Sequence, residues 1–275
     1  MIAKELDDVT IMNKRRAAGH AAEAQLAFYL RRMFADTHDL HIFNGLRFES
    51  LGDVAQFDHL ILHPYGLIVV ESKSVHARVK INERGEWLRL YKGHYQGMPS
   101  AKLQAERQVL FLQRYLDPHS AQLLNASRGK YAGVSSMPID LLVAVSDGAV
   151  IDRPKGEAHD YLVKVEAVPE RIKVLVKSRR PASSFFGLFK DGFDLSSAEM
   201  AGVGSFFKSR HRPLEQVSAS LVTVSTVTSA EPVRMLSAHH CKHCGGTKLE
   251  ICSGRYGYFF KCSECGKNTA ISRRC

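Results

Sequence analysis

The first 180 residues switch between helical and strand-like spacing of their apolar positions. Apolar side chains recur every three or four residues in 14–34 and again in 100–116, which is the spacing of one helix face, and Ser100 stands at an N-cap position. A further helix is predicted at 169–177, with a proline in its first turn. Short apolar runs with strand character lie at 40–48, 57–62, 66–73, 86–91, 139–146 and 161–165. This order predicts an α/β fold, a mixed sheet flanked by helices.

The helix at 14–34 carries one carboxylate beside its apolar stripe. That stripe consists of Ala22, Leu26, Tyr29, Leu30 and Met33. Glu23 shares a helical track with Leu26, Ala27, Leu30 and Phe34, at the margin of a face that should be buried. It either complements the helix dipole near the first turn or belongs to a functional site.

The segment QFDHLILHPYGLIVVESKS, at 56–74, predicts a β-hairpin with a turn at Pro64 to Gly66. A loop of two residues and a loop of four give the same register. In that register Asp58 lies opposite Glu71, and Lys73 follows on the same face. The apolar residues of this face are Leu60, Leu62, Leu67 and Val69.

Two opposed carboxylates on a packed face need a compensating charge. Opposed residues hold their Cβ atoms about 4.5 to 5.5 Å apart, and like charges there are unfavourable. A divalent cation such as Mg²⁺ or Mn²⁺ takes oxygen ligands, so we expect Asp58 and Glu71 to bind one. Lys73 would then balance charge, orient a water or contact a phosphate. The alternative is a solvated face with a cross-strand ion pair, which the apolar neighbours disfavour.

Histidines near the turn offer a second scheme. His59, His63 and Tyr65 lie in or beside the hairpin, and a histidine can serve as a general base. His59, however, should face the opposite side of its strand from Asp58.

Charge points to a polyanionic partner. The chain has 275 residues, 45% of them hydrophobic, with a net charge of +10 and a pI near 9.4. Seven Lys or Arg against two Glu in 239–275 place half of that charge in a short tail, which favours nucleic acid. A charged amino terminus and the lack of a long apolar run predict a cytoplasmic protein that does not enter membranes.

All six cysteines lie in the same tail, at 241–275. Two Cys-x-x-Cys pairs separated by 17 residues predict one structural, tetrahedral Zn²⁺ held by Cys241, Cys244, Cys262 and Cys265. Cys252 and Cys275 are expected to be non-ligands. Disulfides or a redox pair, and ligation by His239, His240 or His243, are the alternatives.

The stretch GRYGYFFKC, at 254–262, mixes aromatic and basic residues between the two cysteine pairs. Such a strand can stack on bases and hold phosphates. The candidate nucleic-acid contacts are Arg255, Tyr256, Tyr258, Phe260 and Lys261. Tyr258 and Phe260 could instead pack the small core of the zinc module.

The chain therefore divides into three parts. We expect a main domain at 1–180, an extension and linker at 181–238, and a zinc ribbon at 239–275. Glycines interrupt any regular helical or strand-like spacing of apolar residues in 181–215. The segment 216–228 is a linker or a lone strand. The boundary is predicted between Gln216 and Ala238, and a homodimer is left open.

These residues resemble known nuclease motifs. Asp58 followed after a spacer by Glu71-Ser72-Lys73 resembles the PD-(D/E)xK pattern, with Phe57 where that name has proline. The stretches GHAAEAQ, QFDHLIL and GLIVVESKS, together with Gln104, resemble the nuclease-related domain, NERD, over about 15–116 and more weakly to 177.

The resemblance implies a restriction-endonuclease-like fold and a role for each matching residue. Asp58 and Glu71 would bind Mg²⁺, and Lys73 would assist the attacking water. Glu23 corresponds to the first-helix acid of such sites, and Gln104 to a helix residue that faces the site.

The tail, with CKHCGG and RYGYFFKCSECG, is similar to the C4 zinc ribbons of bacterial type I topoisomerases, which bind single-stranded DNA. Together the likenesses imply a Mg²⁺-dependent DNA endonuclease with a DNA-binding zinc ribbon. The alternatives are a catalytically silent nucleic-acid-binding or scaffolding protein and an RNA-directed nuclease.

Overall fold

A computed structural model describes residues 1–8, 13–124, 133–154, 159–181, 193–213, 241–254 and 257–270. The chain forms two compact units, Met1–Ser218 and Ala219–Cys275. The predicted boundary and linker fall largely in 214–240, outside the described residues. No helix in the described ranges is long and apolar enough to cross a bilayer.

The first unit contains a six-stranded mixed sheet, as the sequence predicts. Its order is β1-β2-β3-β4-β8-β10, with β2-β3 and β3-β4 antiparallel and the other three pairs parallel. The strands are β1 (Ile2–Lys4), β2 (His41–Ser50), β3 (Asp53–His63), β4 (Gly66–Lys73), β8 (Ile139–Val145) and β10 (Leu162–Lys164).

Helices cover both faces of this sheet. The helices are α1 (Lys14–Phe34), α2 (Ala101–Leu116), the short α3 (Ser120–Leu123), α4 (Val168–Arg179) and α5 (Ser197–Arg210). One face packs on α2 and α5 through buried Leu112, Phe206 and Phe207. The other packs on α1 and α4 through Leu26, Leu30 and Ile172. The α/β prediction, with helices on both sides of a mixed sheet, is confirmed.

Helix α5 lies in the segment whose period the sequence left unassigned. Ser196 caps it, and Glu199 completes a capping box. Val203, Phe206 and Phe207 are buried against the sheet, so this helix is part of the first unit.

The β3–β4 hairpin has the predicted register. His63 pairs with Gly66 and Leu60 with Val69, which leaves a two-residue loop of Pro64 and Tyr65. Gly66 has φ +146°, and a Cβ there would lie 2.2 Å from the Pro138 carbonyl oxygen. That close approach explains a glycine at this position.

A second, four-stranded sheet follows the hairpin. Its order is β7-β6-β5-β9, and its strands are β5 (Arg78–Ile81), β6 (Trp87–Tyr91), β7 (His94–Met98) and β9 (Val150–Asp152). Only β6 was predicted from the sequence. The other three strands are short, and β7 has no buried residue to reveal its alternation.

The second unit is a small three-stranded antiparallel sheet. Its strands are β11 (Leu249–Gly254), β12 (Gly257–Cys262) and β13 (Asn268–Ala270), in that order. The two cysteine pairs flank β11 and β12 in the chain, with Cys262 ending β12. This arrangement fits the predicted zinc ribbon.

Candidate functional site

Asp58 and Glu71 meet where the hairpin ladder ends. Main-chain pairing of β3 with β4 stops at His59 and Val70, one pair short of the two acids. The backbone N–H of Ser72 donates to Asp58 Oδ2 at 2.8 Å, so the acid is tied to β4 by its side chain. Both acids are largely buried, with exposures of 9% for Asp58 and 2% for Glu71.

The approach of Asp58 involves an interruption in the alternation of β3. Phe57 and Leu60 pack in the same cluster although they are three residues apart. On the neighbouring β2, Gly45 has φ +65°, and the Gly45–Asp58 pair is missing from an otherwise continuous register. In a regular strand the adjacent residues Phe57 and Asp58 would point to opposite faces of the sheet. The irregular pairing at Gly45 and Asp58 therefore shifts the position of the Asp58 side chain.

Lys73 joins the acids to α2. Its Nζ lies 2.5 Å from Glu71 Oε1 and donates to Gln104 Oε1 at 2.8 Å. The lysine side chain is 23% exposed, so its ammonium group borders solvent. The structure thus brings together Asp58, Glu71, Lys73 and Gln104.

Gln108 is a site residue that the sequence analysis missed. Its Nε2 donates to Glu71 Oε2 and to the Gln56 carbonyl oxygen, both at 2.8 Å. The side chain is 6% exposed, and its Oε1 is buried without a partner among the described residues. The signal was available, since Gln108 lies one helical turn after Gln104 and shares its face.

The charges of this cluster act on one another. Burial, followed by the nearby charges of Glu71 and Glu23, raises the pKa of Asp58 well above its usual value, and the Ser72 hydrogen bond only partly opposes this. Burial also raises the pKa of Glu23. The nearby charge of His20 opposes this increase, and that of Glu71 adds to it. Glu23 of α1 therefore interacts electrostatically with Glu71 and Lys73.

The donor set suits a hard divalent cation. The carboxylates of two buried acids repel each other, and a bound cation relieves repulsion of this kind. Asp58 and Glu71 are the residues that would hold it. Both carboxylate oxygens of Glu71 already accept hydrogen bonds, one from Lys73 and one from Gln108. On binding of a cation, these donors would either hold the Glu71 carboxylate in place or release one of its oxygens to the ion.

Asp58→Asn is expected to stabilise the metal-free protein. A carboxyl whose folded-state pKa is raised contributes stability below its ordinary pKa of 3.8 and loses it as the pH rises through the folded-state value. At pH 7 the amide avoids that loss, and each pKa unit is about 1.4 kcal/mol, or about 3 to 6 °C in Tm. We expect a higher Tm for the variant at pH 7 and no difference near pH 3.5, measured by differential scanning calorimetry.

The matched control is Asp53→Asn, an exposed acid on the same strand. It should leave Tm unchanged at both pH values. Added Mg²⁺ should raise the Tm of the wild type and not that of Asp58→Asn. A lower Tm for metal-free Asp58→Asn at pH 7 would show that the buried charge is compensated within the protein.

The histidine scheme is not supported by the geometry. His59 is fully buried, and its Nδ1 lies 2.8 Å from Asn44 Oδ1. Burial lowers the pKa of His59 to about 3 and that of His63 to about 4. Neither imidazole has a hydrogen bond to Asp58, Glu71 or Lys73 among the described contacts.

The four predicted cysteines converge in the second unit. The Sγ atoms of Cys241, Cys244, Cys262 and Cys265 all lie within 4.8 Å of one another, and none is in a disulfide. Two of the distances are 3.6 and 3.7 Å, close to the edge of about 3.8 Å of a tetrahedron with Zn–S bonds of about 2.3 Å. The four cysteines are positioned to hold a metal ion, and their geometry is consistent with structural zinc.

The two cysteine turns are alike. Gly245 N–H donates to the Cys241 carbonyl, and Gly266 N–H donates to the Cys262 carbonyl, at 2.9 and 2.8 Å. Both glycines have φ above +70°, a conformation that suits glycine. The backbone N–H groups of His243 and Cys244 lower the pKa of the Cys241 thiol to about 6, which favours the thiolate that a metal binds.

The candidate nucleic-acid contacts of the ribbon are described only in part. Lys261 is exposed on β12, and Phe260 is partly buried. Tyr258 lies in the same strand, opposite Ser253. Arg255 and Tyr256 fall outside the described residues.

A comparison with known protein families matches part of the first unit. Residues 18–146 match the family model of the nuclease-related domain, NERD. This span contains the β3–β4 hairpin, strands β5, β6 and β7 of the second sheet, and helix α2. It therefore includes every residue of the carboxylate cluster, namely Glu23, Asp58, Glu71, Lys73, Gln104 and Gln108. No curated protein and no solved structure matches the chain.

Proposed function

Residues 18–146 form a nuclease-related domain, and from this premise we propose that the protein is a Mg²⁺-dependent DNA endonuclease that hydrolyses phosphodiester bonds. Mn²⁺ would substitute for Mg²⁺, since both accept carboxylate and water ligands. The zinc ribbon would bind DNA and hold the substrate near the enzyme.

One observation carries the proposal. On β4, buried Glu71 is paired with Lys73 at 2.5 Å, and the two are hydrogen-bonded at 2.8 Å to Gln108 and Gln104 of α2. Buried Asp58 of β3 accepts from the Ser72 N–H beside them. Burying two carboxylates side by side costs stability. A protein retains such an arrangement where binding or chemistry requires it, as in the acidic metal sites of phosphate-processing enzymes.

Each side chain of the cluster has a role in the proposed hydrolysis. Hydrolysis forms a bond from a water oxygen to phosphorus and breaks the bond from phosphorus to a sugar oxygen; one proton leaves the water, and one reaches the leaving oxygen. A bound Mg²⁺ would supply charge for the phosphoryl oxygens and lower the pKa of water. Asp58 and Glu71 would hold the ion.

Lys73 borders solvent, where an incoming phosphate would arrive. Its ammonium group would contact a non-bridging oxygen or orient the water, with Gln104 fixing its position. Glu23, whose pKa burial raises, would be a stronger proton acceptor near neutral pH than an ordinary carboxylate.

A catalytically silent nucleic-acid-binding protein is the second candidate, and one observation favours it. Both oxygens of Glu71 already accept hydrogen bonds, from Lys73 and Gln108. A cluster satisfied in this way could persist without a cation and act as a scaffold.

Cleavage assays separate the two functions. Purified full-length protein is incubated with supercoiled plasmid, single-stranded DNA and RNA of the same sequence, with Mg²⁺, with Mn²⁺ and without added divalent metal. We expect DNA cleavage only with metal, and a loss of about 10²- to 10³-fold in Lys73→Met. Folded wild-type protein that cuts nothing would favour the scaffold, and RNA as the only substrate would redirect the proposal to RNA.

A further inference from the structure

The second sheet is inserted between the two segments that supply Lys73 and its glutamine partner. Lys73 ends β4, and β5 begins at Arg78. On the far side β7 ends at Met98, and α2 begins at Ala101 and carries Gln104, which accepts from Lys73 Nζ at 2.8 Å. Both ends of the insertion are therefore anchored at the carboxylate cluster.

The inner face of this sheet is packed beside the cluster. Val79, Ile81 and Trp87 are buried in one group with Ala101 of α2, Ala149 before β9, and three residues of the main sheet, Val143, Val145 and Leu162. In β8, Val143 pairs with Glu71 and Val145 with Lys73. The second sheet thus rests on the strand next to the two site residues.

The outer face of the second sheet is basic and aromatic. Side chains alternate along its strands, and the residues not facing the packed side are Arg78, Lys80, Leu88, Leu90, Tyr95 and Gly97. Lys80 pairs with Leu88, which pairs in turn with Gly97, and Leu90 pairs with Tyr95. Tyr95 is 43% exposed, and both basic side chains are exposed.

Lys80 and Tyr95 form the centre of this outer face. The Lys80 Nζ lies 5.7 Å from the Tyr95 ring centroid. The Tyr95 hydroxyl donates to Asp152 at 3.2 Å, and Arg78 pairs with the same carboxylate at 3.3 Å. Arg78 therefore offsets the charge of Asp152, while Lys80 has no ion pair with a described residue.

Gly97 leaves room beside these two side chains. A Cβ built at this position would meet no atom within 4 Å. An exposed ring, a lysine and an open strip on one face can hold a base by stacking and its phosphate by charge.

The surrounding charge has the sign that a polyanion requires. Residues 74–100 contain five Lys or Arg and two Glu, a net charge of +3. Bases in a duplex are stacked on one another, so an exposed ring such as Tyr95 favours an unpaired strand.

We propose that the outer face of the second sheet binds single-stranded DNA beside the carboxylate cluster. A base stacks on Tyr95, and a backbone phosphate lies against Lys80. The inference rests on the proposed function, since it names the form of substrate that reaches this site and a binding surface separate from the zinc ribbon.

Binding is measured in zinc-loaded, full-length Glu71→Gln protein, so that cleavage does not consume the probe. Fluorescence anisotropy with a labelled oligodeoxythymidylate gives Kd. Tyr95→Ala should raise Kd at least about fivefold, whereas Tyr95→Phe keeps the ring and should leave Kd unchanged. Lys80→Ala should lower the slope of log K against log salt by about 0.7, the value for one phosphate contact on a single strand.

Matched controls come from the other side of the main sheet. Phe28→Ala removes an exposed ring of α1, and Lys173→Ala removes an exposed cation of α4. Neither should change Kd or the salt slope. The assignment would be wrong if these controls, or Tyr95→Phe, weakened DNA binding as much as Tyr95→Ala and Lys80→Ala do. Such an effect would reflect a general loss of charge or of folding.

Photo-crosslinking locates the strand. An oligonucleotide carrying 5-iododeoxyuridine should crosslink to a peptide within 78–98, identified by mass spectrometry. Crosslinks confined to 241–275, or tighter Tyr95-dependent binding of RNA or duplex DNA, would overturn the proposal. Cleavage by the wild type is measured separately. If the protein cuts DNA but its binding does not depend on Tyr95, only this inference is wrong. If binding depends on Tyr95 but no DNA is cut, only the proposed hydrolysis is wrong.

Discussion

Glu71→Gln is expected to reduce metal-dependent DNA cleavage by about 10²- to 10³-fold or more. The substitution keeps the shape of the side chain but removes one of the two charges proposed to hold the cation. Charge stabilisation of the transition state by a metal is worth several kcal/mol, and each 1.4 kcal/mol is tenfold in rate. The measurement is the initial rate of plasmid cleavage at saturating Mg²⁺, together with Mg²⁺ affinity by isothermal titration calorimetry.

The fold should tolerate this change. In the variant, one of the donors Lys73 and Gln108 would meet the new amide nitrogen instead of an oxygen. Gln108 has an unpartnered Oε1 and can turn its amide to accept that hydrogen, although this gives up its bond to the Gln56 carbonyl. We expect a loss of about 1 kcal/mol in stability.

Glu106→Gln is the matched control for Glu71→Gln. It makes the same carboxylate-to-amide change on α2, where Glu106 forms an i, i+4 ion pair with Lys102 at 3.5 Å and no other ion pair within the part of the chain that the structure describes. Cleavage should stay at the wild-type rate. A folded Glu71→Gln protein that cuts as fast as the wild type would mean that hydrolysis, if present, uses another site.

Cys262→Ser is expected to abolish zinc binding and unfold the second unit. The Cys262 sulfur is buried within the four-cysteine cluster, and the described part of this unit contributes no residue to the three hydrophobic clusters, all of which lie in the first unit. Metal binding in such modules supplies about 10 to 16 kcal/mol, which is folding free energy. Zinc content by mass spectrometry should fall from one per chain to none, with loss of slow amide exchange in 249–270.

Cys252→Ser is the control for this experiment. Cys252 lies in β11, outside the two Cys-x-x-Cys pairs of the sequence, so the variant should keep one zinc per chain. The melting transition of the first unit should be the same in both variants. A Cys262→Ser protein that retains stoichiometric zinc would show that another residue completes the site.

Local patterns were enough to predict the hairpin, its register and the zinc ligands. The turn residues and the period of two set which residues of β3 and β4 are paired, because a slip of one residue would move Leu60, Leu62, Leu67 and Val69 to the other face of the sheet. Cysteine spacing likewise determines which sulfurs can reach one ion. Both depend on residues that are close in the chain.

Predictions of which side of a helix is buried were less successful. Leu103 and Leu110 belong to the apolar pattern of α2, yet they are 51% and 52% exposed. Gln108 is buried instead, because it faces Glu71. In α1, Met33 was assigned to the stripe and is 42% exposed. A polar group that is needed at a site overrides the hydrophobic pattern, and only the packed sheet shows where that site is.

By itself, the chain determined the α/β class, the register of the β3–β4 hairpin and the four-cysteine cluster, since each follows from spacing over a few residues or from the order of short elements. The tertiary structure decided what surrounds the acids. It brought Gln108 and Gln104 onto Glu71 and Lys73, drew Glu23 into the same electrostatic field, packed α5 on the sheet and set the basic sheet of β5, β6, β7 and β9 beside the cluster. These contacts join residues far apart in sequence, and their energies depend on burial that no local pattern specifies.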